Sequence, residues 1–222
     1  NASEEAKADI EEILVTANRT EQSINDVSQA VQALSGDDLQ DLQITDFEQM
    51  IDLIPGAVQN SSISQGSNVY SIRGVASAET DGDATIGYYL DNFAFSLPGR
   101  PYAPVTDIYD TERVEVLRGP SGTLYGLGSL GGTIKVITKD PVIGEFEGSF
   151  KATLADIDDG DSSHTGDLML NIPLSENAAL RGVLSIKDIG GWAEIIPSNQ
   201  TNGNPYDGIT GRLKLLVEPS ED

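Results

Sequence analysis

The 222-residue sequence contains no cysteine. That absence removes disulfide staples, thiolate zinc sites and cysteine nucleophiles together, and it leaves the redox compartment open. Histidine is almost as scarce. His164 stands alone at the edge of an acidic stretch, so a serine–histidine–aspartate triad would have to rest on that one side chain. No run of about 18 apolar residues occurs, which excludes a membrane-spanning helix but not spanning strands. Positive charge is sparse as well: 13 Lys and Arg face 36 Asp and Glu, for a net charge of −23. A chain this acidic does not neutralise phosphates along a nucleic acid. The opening "NASEEAKADIEE" lacks the basic and apolar regions of a secretion signal, so the sequence reads as cytosolic or already processed.

What is present divides at about residue 142. The length allows one large domain or two small ones. In the first part "SQAVQAL" alternates like a short strand, and Ser35 is placed to cap a helical turn, "GDDLQDL". Thr45 starts a second helix, "DFEQMIDLI", with Phe47, Met50, Ile51 and Ile54 on one face and Pro55-Gly56 as its stop. Strand candidates "VYSIRG", "TIGYYLDNF", "ERVEVLRG" and "TIKVITK" follow. From Gly144 the period becomes two. Phe146, Phe150, Ala152 and Leu154 oppose Glu145, Glu147, Ser149, Lys151 and Thr153. Three further runs repeat the pattern, with Leu180, Leu184 and Ile186 opposite Arg181, Ser185 and Lys187, and Leu213, Leu215 and Val217 opposite Arg212, Lys214 and Glu218. Each run is about the length a tilted strand needs to cross a bilayer, and short and long connections alternate. A soluble sandwich with one wet face has the same periodicity and remains the competing reading.

Two motifs invite a catalytic or ligand-binding reading and fail it. Gly126, Gly128 and Gly131 spell the dinucleotide fingerprint, which requires a helix to begin inside the motif. The residues that follow, "GTIKVITK", read as a strand instead. The glycines serve tight turns and close backbone packing. Asp156, Asp158, Asp159 and Asp161 resemble a calcium loop, yet its glycine falls at the fifth place (Gly160) and no glutamate stands at the twelfth. The sequence therefore predicts no enzyme, no cofactor and no defined metal centre.

In chain order, "EILVTA", "MIDLIPG", "YSIRG", "TERVEVLRGPSGTLYG" and "GGTIKVITKDP" resemble TonB-dependent outer-membrane transporters, over about residues 10 to 219. The resemblance implies a flexible N-terminal segment (1–27), an α+β plug domain with a small mixed four-stranded sheet and short helices (28–141), and the first four or so antiparallel strands of a transmembrane β-barrel (142–222). Members of the family close a barrel of about 22 strands. Four strands leave two open edges whose unpaired backbone groups cost several kcal/mol each in lipid, so more strands are expected, from a longer chain or from other chains.

The implied function is energy-coupled import of a scarce nutrient such as a siderophore, cobalamin or oligosaccharide across the outer membrane of a Gram-negative bacterium, with the plug facing the periplasm. The implied partners are TonB, outer-membrane lipid and the nutrient. By resemblance Ile13, Leu14, Val15, Thr16 and Ala17 would bind TonB by strand addition, and extended β-branched residues suit that mode. Arg73, Glu112, Arg113 and Arg118 would lock plug to wall. Gly74, Gly119, Gly126, Gly131 and Gly132 would be points of close backbone approach, and Phe95, Arg100 and Tyr102 would face substrate from the outward tips. The alternative function is a soluble periplasmic module, derived from a plug, that binds ligand or signals.

Overall fold

A computed structural model describes residues 14–16, 20, 22–44, 46–62, 68–77, 82–96, 99–100, 102–103, 107–126, 128–158, 160–195 and 200–219. Three strands, β1 (Leu14–Val15), β2 (Gln22–Ser23) and β3 (Ala30–Ser35), lead to the first helix. The Ser35 hydroxyl accepts from the Asp38 N–H at 3.0 Å and the Asp38 carboxylate accepts from the Ser35 N–H, a reciprocal capping box that opens α1 (Gly36–Asp41). The second helix, α2 (Phe47–Asp52), is capped by Asp46 rather than by the expected Thr45, which lies outside the described residues. The Asp46 carboxylate accepts from the Gln49 N–H at 2.9 Å and satisfies an orphan donor. Phe47, Met50, Ile51 and Ile54 are buried, as their helical spacing requires.

Strands β4 (Ala57–Ser62), β5 (Asn68–Ile72) and β6 (Val75–Ala76) form a small antiparallel sheet of their own. Next come β7 (Ile86–Leu90), β8 (Phe93–Ala94), β9 (Thr111–Arg118), α3 (Gly122–Tyr125) and β10 (Gly132–Thr138). The principal sheet has five strands in the order β3-β9-β10-β7-β8, not the four expected, and only β7 and β10 run parallel. The difference arises at Asp91. Its left-handed backbone, φ 51°, turns the chain so that β8 returns along β7, while the "VYSI" strand pairs with β4 and β6 instead. One face of the sheet and the two helices enclose a core that includes Met50, Ile51, Ile72, Ile86, Val114 and Ile134. Burial there raises the pKa of the Tyr70 and Tyr88 phenols, so both stay neutral beside Phe47.

After residue 140 the chain enters a second sheet, ordered β11 (Glu147–Ala155), β12 (Ser163–Ser175), β13 (Ala178–Ile189) and β16 (Tyr206–Val217), antiparallel throughout. The long connection after β13 holds a short hairpin, β14 (Ala193–Ile195) and β15 (Gln200–Gly203). This sheet is inside out for a soluble protein. Phe150, Leu154, Ile209 and Leu213 are 72%, 77%, 75% and 71% exposed, whereas Asp167, Asn171, Arg181 and Ser185 on the other face are buried. A sandwich would bury the first set. An apolar outer band over a polar inner face is the arrangement of a membrane barrel wall, open here, with β11 and β16 at its edges.

Candidate functional site

Leu14–Thr16 lie on the face of the five-stranded sheet opposite α1 and α2. Val15 is fully buried in a cluster with Tyr89, Leu117 and Tyr125, and β1 pairs antiparallel with β2. Glu115 and Lys135 face each other across β9 and β10 and are themselves buried. Thr16 sits between them. Its N–H donates to Glu115 Oε1 at 2.8 Å, its hydroxyl lies 3.1 Å from Glu115 Oε2, and Lys135 Nζ donates to that hydroxyl at 2.6 Å. The Tyr125 hydroxyl donates to the Thr16 carbonyl at 3.1 Å. Within the segment expected to be flexible (1–27), Thr16 partners the buried charges of the sheet, and Ile24 and Val27 pack against the Val15 cluster. Ile13 and Ala17 lie outside the described residues.

A second charged assembly joins the mixed domain to the inner face of the wall. Arg181 of β13 grips Asp110 with two parallel bonds, Nε to Oδ2 at 2.8 Å and Nη2 to Oδ1 at 2.5 Å, and its third nitrogen reaches Glu147 of β11 at 3.0 Å. The side chains of Arg181 and Asp110 are each 4% exposed. From β16, Arg212 Nη2 donates to the Asp110 carbonyl at 2.9 Å and lies 3.1 Å from its carboxylate. Lys214 donates to the Thr138 carbonyl and to Asp140, both at 2.9 Å, and stands 3.3 Å from Asp91. Lys187 pairs with Asp107 at 3.8 Å. Buried Asn171 of β12 holds the chain where it crosses from one sheet to the other, bonding the N–H and C=O of Val142 and the C=O of Glu145.

Among the described residues, the hydrogen bonds and ion pairs of this seam do not include Arg73, Glu112, Arg113 or Arg118, the four residues expected to lock the two parts. Arg113 pairs with Glu112 and with Glu115 at 2.9 Å, all within β9. Arg73 has φ 54° and lies against Gly119, and the Nε of Arg118 has no partner among the described residues. No ion pair among the described residues joins any of these four to the wall. The seam residues left half a trace in the sequence. Arg181, Lys187, Arg212 and Lys214 stand on the polar face of the alternating runs, an uneven share of a chain with 13 cations. The turn acids Asp91, Asp107 and Asp110 are indistinguishable by pattern from solvated loop acids.

Of the five glycines, close approach holds at Gly131 and Gly132. A side chain on Gly132 would meet the Leu117 carbonyl at 2.5 Å, and one on Gly131 would meet Val75. At Gly74, Gly119 and Gly126 the demand is instead a positive φ. Phe95 is 43% exposed and lines, with Leu90, Asp107, Val183 and Arg212, a cleft of about 240 Å³ between mixed domain and wall. Arg100 is exposed and Tyr102 half-buried, and neither lines that cleft. Among the described residues no group of three or more acidic or histidine side chains is placed to hold a metal ion.

Comparison with known proteins bears on the same residues. The sequence model of the family described as TonB-dependent Receptor Plug Domain matches residues 23–133. The pesticin receptor of Yersinia pestis is 30% identical over 217 residues, which is 94% of this chain and 30% of the receptor. The metal-pseudopaline receptor CntO of Pseudomonas aeruginosa is 31% identical over 81% of this chain and 23% of its own length. The chain thus spans less than a third of the length of these curated relatives. Among solved structures, the ferric yersiniabactin uptake receptor FyuA of Yersinia pestis superposes with a TM-score of 0.67, at 22% identity, over 85% of this chain and 29% of that one.

Proposed function

Since the chain belongs to the TonB-dependent receptors and carries their plug domain, we propose that it imports a metal chelate across the outer membrane, with energy drawn through Leu14–Thr16 by TonB in the periplasm. The observation that carries the reading is the inside-out wall. A polar inner face holds the plug by ion pairs, and an apolar outer face is left bare for lipid. The same bare face disfavours a soluble periplasmic module, which would expose a contiguous apolar band to water.

The work of the protein is mechanical and electrostatic. The outer membrane has no nucleotide supply, so the stroke must arrive from the other side of the periplasm. Extended Leu14–Thr16 suits capture by strand addition, in which main-chain bonds give grip. Removing the segment takes Thr16 away from Glu115 and Lys135 and lets water onto a buried polar face of the sheet, which favours local loosening of the plug. Among siderophores, cobalamin and oligosaccharides, the relatives' names favour the first two, both metal chelates, since they speak of metal-pseudopaline, ferric yersiniabactin and vitamin B12. Phe95, Arg100 and Tyr102 are the proposed substrate-facing side chains of the tips.

The test is growth of a deletion strain under metal limitation with radiolabelled chelates, complemented with the complete protein. Uptake should return with the wild type and vanish when TonB is absent. Uptake that persists without TonB would sink the proposal.

A further inference from the structure

We infer that the cleft between mixed domain and wall is a binding site for an amino-acid-like unit, one with a carboxylate, an ammonium and a short apolar body. The imported chelate rests there by such a unit on its way past the plug, a role that depends on the import reading above. The cleft lies inside the seam. On β13 Val183 stands between Arg181 and Lys187, and on β16 Thr210 and Gly211 lead into Arg212. Its volume of about 240 Å³ is below the range for whole drug-sized ligands, so it has room for one small unit of a chelate.

The lining holds charges of both signs, each with bonding capacity to spare. Arg212 makes its bonds to the mixed domain through Nη2 alone, so Nε and Nη1 have no partner among the described residues. Asp110 is committed to Arg181 by two bonds and neutralises Arg212 only in part. A carboxylate entering the cleft would take up the two uncommitted nitrogens in charge-assisted bonds. Asp107 is the second charge. Its Oδ1 accepts from the Tyr109 N–H at 3.0 Å, but Oδ2 has only the Thr210 hydroxyl, at 3.4 Å, and Lys187 stays 3.8 Å away. An ammonium would give Asp107 a closer partner. Leu90, Phe95 and Val183 supply the apolar wall. A zwitterion with an aliphatic body satisfies all three demands, whereas a plain anion meets Asp107 as an adverse charge and a plain cation meets Arg212. Phe95 ties the cleft to import. Of the three side chains proposed to face substrate, it is the one that lines it. Chelators assembled from amino acids carry such units at their ends.

The test uses the complete receptor in detergent with L-leucine as the probe, followed by saturation-transfer NMR. Leucine should bind. Isovalerate and isoamylamine, which lack its ammonium and its carboxylate in turn, should bind at least about tenfold more weakly. Val183→Trp fills the cleft without touching an ion pair of the seam, and it should abolish leucine binding. Phe95→Ala, at an exposed side chain where folding is not at stake, should weaken leucine by about fivefold. Equal binding of the three probes, or leucine binding unmoved by both variants, would overturn the site. Uptake in cells then separates a chelate from a free amino acid as the occupant. Val183→Trp should slow TonB-driven uptake by about fivefold or more while chelate binding at the cell surface stays unchanged. Uptake at the wild-type rate, with leucine binding lost, would overturn the chelate as occupant and leave the import reading standing. Wild-type receptor without TonB-driven uptake would sink the import reading, and the resting place with it, even where leucine binds.

Discussion

Arg181 shows how one side chain joins two sheets. It is 4% exposed, and its guanidinium has one fork on Asp110 and another arm on Glu147. Arg181→Met keeps the length and leaves Asp110 buried beside a single arginine, Arg212. Unfolding in urea should then show a loss of about 3–5 kcal/mol, the range for breaking a buried pair from one side. A loss under 1 kcal/mol would mean that the pair behaves like a surface contact. The alternation of β13 places Arg181 on the polar face from sequence alone. Its partner was not legible. Among 36 acids nothing local distinguishes Asp110, whose role depends on a left-handed turn, φ 56°, that aims it at a strand about 70 residues away. Conversely Arg113 and Glu112 stand in a recognisable motif and spend their charges on each other and on Glu115.

At the scale of elements, Leu14–Thr16 both pack on the sheet and are the stretch proposed to bind TonB, and two substitutions separate the roles. Val15→Pro removes a main-chain donor and fixes φ, which disables strand addition, so uptake should fall more than tenfold while chelate binding is unchanged. Thr16→Ala removes the hydroxyl between Glu115 and Lys135 but leaves the backbone able to pair. Amide exchange at Val15 should accelerate by roughly tenfold, the effect of losing buried hydrogen bonds worth about 1–3 kcal/mol, and uptake should persist. Unaltered exchange would remove Thr16 as the latch. The regular elements were legible from their periods: Phe47 to Ile54 fixed a helical face, and the four long strands alternate cleanly. β8 is two residues long, too short for any period to show, so the fifth strand of the plug sheet went unseen. The docking of Leu14–Thr16 was hidden for another reason. The pocket that receives Val15 is made by Tyr89, Leu117 and Tyr125, far along the chain, and the polar flank "NRTEQSIND" gives no local sign of it.

The molecule as a whole is organised by two opposite rules of burial. The plug hides Met50, Ile51 and Ile86 and shows polar groups outward, whereas the wall shows Phe150, Ile209 and Leu213 and hides Arg181 and Asn171. Exchanging one rule for the other at a single position is therefore costly. Leu213→Arg places a charge on the outer face near the middle of β16, and folding into bilayers should weaken by about 2–4 kcal/mol, as read from urea titration in liposomes. A change within 0.5 kcal/mol would place that face in water.

The burial of Val15 also limits any protein that must take hold of the chain there. Such a partner meets an end already occupied, and its measured affinity is the intrinsic value scaled by the fraction of time the end is vacant. With vacancy of about 1%, binding to the intact receptor would be about a hundredfold weaker than to the same stretch offered as a free peptide, and each step that lengthens the vacancy strengthens the grip in proportion.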